Sequence, residues 1–239
     1  VTVRFGEPHH HFEETDSTNQ RARELVLGGA PSGTVVTAGS QTAGRGRHDR
    51  RWEAPPDSAL LYSAILRPLD LDHTLLPLAA PIAVCEACEA LAPVECGIKW
   101  PNDIWLDERK LGGVLIEARA PDWAVIGVGV NLSIEPGELP ADLRWPAISL
   151  GHGVTPEQLR AELDDRLSHW VNADPSDVVA AFEPRDALTG RPISWEGGPE
   201  ALGRKGTAEG IDEKGNLIVV GESGERTTLG SGEVTLQLL

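Results

Sequence analysis

The sequence predicts an α+β protein in two parts, a large unit over residues 1–188 and a small β-rich unit over residues 189–239. Three observations predict it. Apolar and β-branched runs of strand length are interleaved with segments of helical period throughout the first part. One stretch, residues 97–118 (GIKWPNDIWLDERKLGGVLIEA), has the form of two strands around a tight turn at Asp107, Glu108 and Arg109. From Arg191 onward only short strands and turns remain, the pattern of a small barrel of about 50 residues that must dock on its neighbour for stability. With 239 residues and 40% hydrophobic content the chain can bury a sizeable core.

Residues 12–15 read as a short strand preceded by His9, His10 and His11. Three adjacent histidines cannot all face one side of a strand, so a solvated edge is expected rather than a metal tract. Asp16, Ser17, Thr18 and Asn19 offer N-caps for a helix that runs through Arg23 and Leu27 and stops at Gly28 and Gly29. A β-branched strand over residues 34–38 leads into QTAGRGRHDRRW, Gln41 to Trp52, in which four arginines fall within seven residues. Glycines there let backbone N–H groups and guanidinium forks converge on an anion. This loop is not a Walker A loop, since no Gly-Lys-Ser/Thr follows, and it is not a GxGxxG turn opening a helix.

Ala59–Leu66 reads as an apolar strand and residues 73–91 as a helix. Within residues 97–118, Lys99, Asn102 and Asp103 surround Pro101, which cannot donate to a sheet ladder, so the strand must break where the charged groups lie. Trp123–Asn131 (WAVIGVGVN) is a buried strand whose Gly127 and Gly129 mark places where something presses on the backbone. Residues 132–155 are Pro/Gly-rich connection, Pro156–Val171 is an amphipathic helix opened by its proline, and residues 177–182 form a shorter helix. Strands at 192–195, 206–211, 217–220, 226–229 and 234–238 complete the chain.

The net charge is −16, which argues against a general nucleic-acid or anionic-membrane binder, so any basic site must be local. No run of 18 uninterrupted apolar residues and no basic-then-apolar leader is read, and a cytoplasmic location is expected. Three cysteines are too few and too odd in number for a disulfide framework, and Cys85 and Cys88, a CxxC in a helical pattern, read as buried thiols. The chain has 17 Arg and only 4 Lys, two of which, Lys99 and Lys110, lie in residues 97–118. A lysine ammonium on a flexible stem suits a moving phosphate or carboxylate oxygen.

Five motifs in order, Ser17-Thr18-Asn19, QTAGRGRHDRRW, KWPND (Lys99 to Asp103), KLGG (Lys110 to Gly113) and GVGVN (Gly127 to Asn131), resemble the biotin protein ligases. The resemblance covers residues 12–131, and the C-terminal part resembles that family's SH3-like domain. It implies a class II aminoacyl-tRNA-synthetase-like catalytic domain, a mixed sheet flanked by helices, plus a small SH3-like β-barrel. It also implies a reaction: biotin's carboxylate attacks the α-phosphorus of ATP, and biotin then passes from biotinyl-5′-AMP to a lysine of a biotin carboxyl carrier protein. Mg²⁺ bound with the ATP phosphates is implied, with no protein-only metal site, and a homodimer or monomer–dimer equilibrium is expected.

By the same resemblance Lys99, Arg47 and Asp103 are the catalytic set, with Asp103 orienting Lys99. Ser17, Thr18, Asn19, Gln41, Arg45, Gly46, Arg47 and Lys99 are expected around biotin, with the backbone near Gly113, Leu115 and Ile116 completing its pocket. Arg45, Arg47, Trp52, Asn102, Lys110 and Asn131 are expected around ATP and the adenylate. The family's loop usually has a glycine where Asp49 stands, and Asp49 is expected to pair with Arg47 or Arg50 and to weaken retention of the adenylate. Only 16 residues precede the first motif, too few for the repressor domain some members carry, so no operator DNA is expected as a partner. A lipoate ligase and a non-catalytic biotin or adenylate sensor are the rival readings. Measuring pyrophosphate release on adding biotin and MgATP is the test that separates the sensor from the ligase.

Overall fold

Alternation of side chains along a buried strand creates two faces, and in this chain the two faces are put to different uses. The computed structural model describes residues 2–48, 50–69, 71–135, 138, 145–196, 204–230 and 233–236. Asp49 therefore lies outside the described residues, as do residues 237 and 238 of the last expected strand.

The main sheet has seven strands: β1 (His9–Thr15), β2 (Val35–Gln41), β3 (Ala59–Leu66), β4 (Gly97–Lys99), β5 (Asp103–Leu106), β6 (Arg109–Arg119) and β7 (Trp123–Asn131). They lie in the order β1-β2-β3-β7-β6-β5-β4. β1 and β2 run parallel and every other pair antiparallel, so the sheet is mixed. On one face Leu60, Tyr62, Ala64 and Leu66 of β3 join Ile126, Val128 and Val130 of β7 in the main core. Helices α2 (Leu76–Leu91), α3 (Pro156–Val171) and α4 (Pro175–Phe182) cover that face. On the other face Ile65 and Val125 pack with Ala22 and Val26 of α1 (Thr18–Leu27). The helix α1 covers only part of that face, and the remainder is the floor of the cleft described below.

The three histidines fall on β1, an edge strand, where His9 Nε2 and His11 Nδ1 lie 2.8 and 2.9 Å from Thr37 Oγ1. Residues 73–91 divide into a 3-10 turn, Leu71–Leu75, and α2, which starts at Leu76 with a proline in its first turn. By length and composition His73–Leu91 could cross a bilayer, yet 67% of it is buried inside the protein as a core helix packed on the sheet and beside α3. α3 opens with a full capping box, Thr155 and Gln158 bonding reciprocally, with Pro156 in its first turn.

The stretch 97–118 makes three strands where two were expected. β4 pairs back on β5 with Lys99 opposite Asp103, and the residues 100–102 form a turn of their own. Pro101 lacks the N–H that a continuous strand would have needed there. Asp107 and Glu108 form the second turn, both with positive φ (50° and 59°).

The C-terminal strands β8 (Pro192–Glu196), β9 (Arg204–Ile211), β10 (Leu217–Gly221), β11 (Arg226–Leu229) and β12 (Glu233–Leu236) form an antiparallel sheet in the order β11-β10-β9-β8-β12. It docks on the main unit as expected: Ile193, Trp195, Leu217 and Val219 belong to the main core. Trp100 Nε1 also donates to Gly215 O at 3.0 Å. Cys85, Cys88 and Cys96 are buried and unpaired, and burial raises the Cys85 thiol well above its ordinary value.

Candidate active site

The cleft opens over the sheet face that α1 leaves uncovered and has a volume of about 510 Å³. Its floor is made by two neighbouring strands, where Gly113 stands opposite Gly129 and Leu115 opposite Gly127. What presses on those glycines is now identified. A side chain at Gly127 would collide with the Asn19 amide, and one at Gly129 with the Trp52 indole. Glycine is required there because two cleft residues lie flat on the backbone.

The first turn of α1 forms one wall. Ser17 sits at the N-cap but makes no side-chain cap bond. Asp16 accepts from Ser17 N at 2.6 Å, and donation by Arg21 holds the Asp16 carboxyl down to about 2. Thr18 and Asn19 are buried and turn inward. Thr18 N donates to Gln41 Oε1 at 2.7 Å, and Ser63 Oγ donates to Asn19 Oδ1 at 2.6 Å.

The arginine loop is folded back on itself. Arg45 bridges to Arg51, Gly46 N donates to Arg50 O at 2.7 Å, and Trp52 N donates to Gly44 O at 3.1 Å. His48 turns with φ 55°. From this small hairpin Arg45 Nη1 reaches Glu117 Oε1 at 2.9 Å and Arg47 Nη1 reaches Asn102 Oδ1 at 3.0 Å. The loop therefore spans the cleft from β6 to the turn after Lys99.

Lys99, at the end of β4, is 4% exposed, and its Nζ lies 5.4 Å from the Trp145 ring centroid. Asp103, expected to orient Lys99, accepts from Lys110 Nζ at 2.6 Å. Lys110 Nζ also stands 5.9 Å from the Trp52 ring centroid. Asn131 is buried and donates to Ile148 O at 3.2 Å. Counted over the described lining residues, six cations (Arg45, Arg47, Arg50, Arg51, Lys99, Lys110) face two carboxylates (Glu53, Asp103). In a chain of net charge −16, that is a local reversal of sign suited to a polyanion.

Of the sixteen residues expected at the site, all but Ile116 line this cleft. Ile116 packs against the main core on the opposite face of β6. The strand period explains it, since Leu115 faces the cleft and its neighbour must face away. Sequence reasoning missed Trp145 and Ala147, which lay in the stretch read as connection. They form a short strap along β6: Lys110 N donates to Pro146 O at 2.8 Å and Ile148 N to Lys110 O at 3.0 Å. Only the lone tryptophan in a Pro/Gly-rich segment hinted at this. Ser63 and Glu117, which bond to Asn19 from outside the lining, were missed as well.

The pattern of the biotin/lipoate A/B protein ligase family matches residues 11–131, and that of the biotin protein ligase C-terminal domain matches residues 190–236. The biotin–[acetyl-CoA-carboxylase] ligase of Mycobacterium tuberculosis is 34% identical over 230 residues, 90% of this chain and 84% of that protein. The chain belongs to the biotin protein ligase family. The biotin protein ligase of Aquifex aeolicus, solved in complex with biotin and ATP, superposes with a TM-score of 0.82 at 26% identity, covering 97% of this chain and 99% of that one. The Leishmania major biotin protein ligase with biotinyl-5-AMP gives a TM-score of 0.67 at 25% identity. Against the bifunctional ligase/repressor BirA of Bacillus subtilis, 32% identical, the match takes in 85% of this chain and 66% of that protein.

Proposed function

We propose that the cleft activates biotin with ATP and transfers it to a lysine of a biotin carboxyl carrier domain of a biotin-dependent carboxylase. In the first step a biotin carboxylate oxygen bonds to the α-phosphorus and the bond to the leaving pyrophosphate breaks. In the second the lysine amine attacks the biotinyl carbonyl carbon, losing a proton, and AMP leaves. The observation that carries the reading is six cations converging on a glycine-floored cleft in an acidic protein of this family.

Both steps gather negative charge, and preorganised cations offset it best where water is excluded. In this reading biotin lies at the α1 end, held by Ser17, Thr18, Asn19 and Gln41 with Gly113 and Leu115 beneath. Trp52 and Asn131 take the adenine side, with Trp145 and Lys110 beside them. Lys99 and Arg47 stand between the two ends, where the new bond forms. The arginine loop, anchored at Glu117 and Asn102, closes over the mixed anhydride and protects it from hydrolysis. Asp103 acts through Lys110. Among the described residues no group of three or more His, Cys, Asp or Glu could hold a metal ion, and the reading has Mg²⁺ arrive on the ATP phosphates, whose charge it neutralises.

The C-terminal domain match favours biotin over lipoate. A cytoplasmic location belongs to the same reading, supported by three unpaired cysteines. A net charge of −16 speaks against DNA or an anionic membrane as partner. A homodimer or monomer–dimer equilibrium is an expectation of family resemblance, decided by sedimentation at two protein concentrations. The testing experiment is transfer of labelled biotin, with MgATP, to a carboxylase carrier domain. The wild type labels one lysine, and Lys99→Ala labels it at least about 100-fold more slowly, as loss of a charge-stabilising contact at the reacting atoms requires. No labelling by the wild type refutes the reading.

A further inference from the structure

Glu117 lies on β6 two residues beyond Leu115, on the same side of the strand. Its two carboxylate oxygens serve different elements. Oε1 accepts from Arg45 Nη1 on the arginine loop and Oε2 accepts from Asn19 Nδ2 on α1, each at 2.9 Å. From Asn19 the chain of hydrogen bonds continues. Asn19 Oδ1 accepts from Ser63 Oγ, which lies 2.8 Å from Thr18 Oγ1, and Thr18 N donates to Gln41 Oε1. An unbroken polar line thus runs from the loop, through the carboxylate, along the cleft wall to Gln41.

An isolated ion pair as exposed as this one, with Arg45 44% and Glu117 21% accessible, would hold a loop only weakly. The Asn19 bond changes that, because a carboxylate already fixed by one donor loses less freedom when it takes a second. Asn19 is itself fixed, lying flat on Gly127 where no side chain could be accommodated.

We propose that Glu117 is a positioning residue that makes the order of the arginine loop depend on occupancy of the pocket beside Thr18, Asn19 and Gln41. This rests on reading the cleft as the biotin-activating site. Glu117 acts through Arg45 and Asn19. The amide, held by Ser63 and by the backbone at Gly127, fixes the carboxylate, the carboxylate holds Arg45, and an acid bound beside Thr18 and Asn19 adds its own contacts to this line from wall to loop. Glu117→Gln keeps size but offers one acceptor oxygen and one NH₂, so it can satisfy Arg45 or Asn19 and not both.

The test uses the full chain. Trypsin cuts after Arg45, Arg47, Arg50 and Arg51 when the loop opens, and biotin alone is expected to slow that cutting in the wild type. In Glu117→Gln the protection by biotin is lost, KM for biotin rises about 10-fold, and the adenylate dissociates about 10-fold faster. KM for ATP stays within about 2-fold and the thermal midpoint is retained, a split that a merely structural role would not give. Glu117→Asp, which keeps both acceptors, recovers part of the protection. Should the Glu117 variants fail to fold, Arg45→Gln removes the same contact from the exposed end, and loss of protection is again expected. Wild-type protection and wild-type KM in Glu117→Gln, or full protection in Arg45→Gln, would overturn the inference. If the wild type forms no biotinyl-adenylate, the functional reading itself fails, and the two failures are told apart by that control.

Discussion

Gly127 and Gly129 set the depth of the cleft, because the Asn19 amide and the Trp52 indole occupy the space where their side chains would be. Asn19 is 4% exposed and bonded to Ser63, Glu117 and Leu115, so it cannot swing aside without leaving buried polar groups unpaired. Gly127→Ala is therefore expected to lower biotin affinity at least about 10-fold while the fold persists, measured by titration calorimetry; unchanged affinity would show that Asn19 has room to move. At this scale much was legible. The glycine spacing in GVGVN, the arginine cluster and the two lysines in a lysine-poor chain all pointed to the cleft. Ile116, expected there through its backbone, sends its side chain to the core, because a strand turns neighbours to opposite faces. Ser63 and Glu117 stand behind the lining and bond to Asn19, and only the single carboxylate in an apolar run hinted at the second.

At the scale of elements, periodicity placed Ala59–Leu66, Trp123–Asn131 and Pro156–Val171 with their observed bounds. It failed where a turn was hidden inside a short apolar run, at the break between β4 and β5. It also left residues 145–150 as connection, because a strap held by a few bonds along β6 carries no period. One tie between elements has a pH signature. Asp164 of α3 accepts from the Tyr62 hydroxyl of β3 at 2.9 Å and pairs with Arg160. Burial, the largest influence, nevertheless raises the Asp164 carboxyl from 3.8 to about 6, with Asp165 adding to it against the opposing pull of Tyr62 and Arg160. A pKa raised on folding means stability that is complete below 3.8 and is lost as pH climbs through about 6, a change of roughly 3 kcal/mol. Asp164→Asn keeps an acceptor for Tyr62 and removes the titration. In urea unfolding at several pH values, the wild type is expected to lose stability relative to the variant between about pH 4 and about pH 6. Parallel profiles would show that Asp164 keeps an ordinary pKa.

At the scale of the molecule, a cationic cleft stands in an acidic protein, and the small C-terminal sheet is fastened behind the turn that follows Lys99. Docking was legible from size alone. One contact that secures it, Trp100 Nε1 to Gly215 O, was not, because it joins residues 115 apart. That bond backs the turn that follows Lys99. Trp100→Phe removes the indole N–H, orphans the Gly215 carbonyl and shrinks a buried side chain, at a cost of about 2 kcal/mol. Adenylate formation is expected to fall with it, by several-fold, through misplacement of Lys99, read from thermal melts and single-turnover rates side by side. Lower stability with undiminished chemistry would mean that the C-terminal sheet supports the fold and not the site.

The most direct measurement of the account is the acyl-adenylate itself. Wild-type chain mixed with biotin and MgATP in a single turnover should accumulate one equivalent of biotinyl-5′-AMP with matching pyrophosphate release, and Lys99→Ala should form it at least about 100-fold more slowly. A wild type that makes no adenylate, or a Lys99→Ala variant as fast as the wild type, would contradict the account.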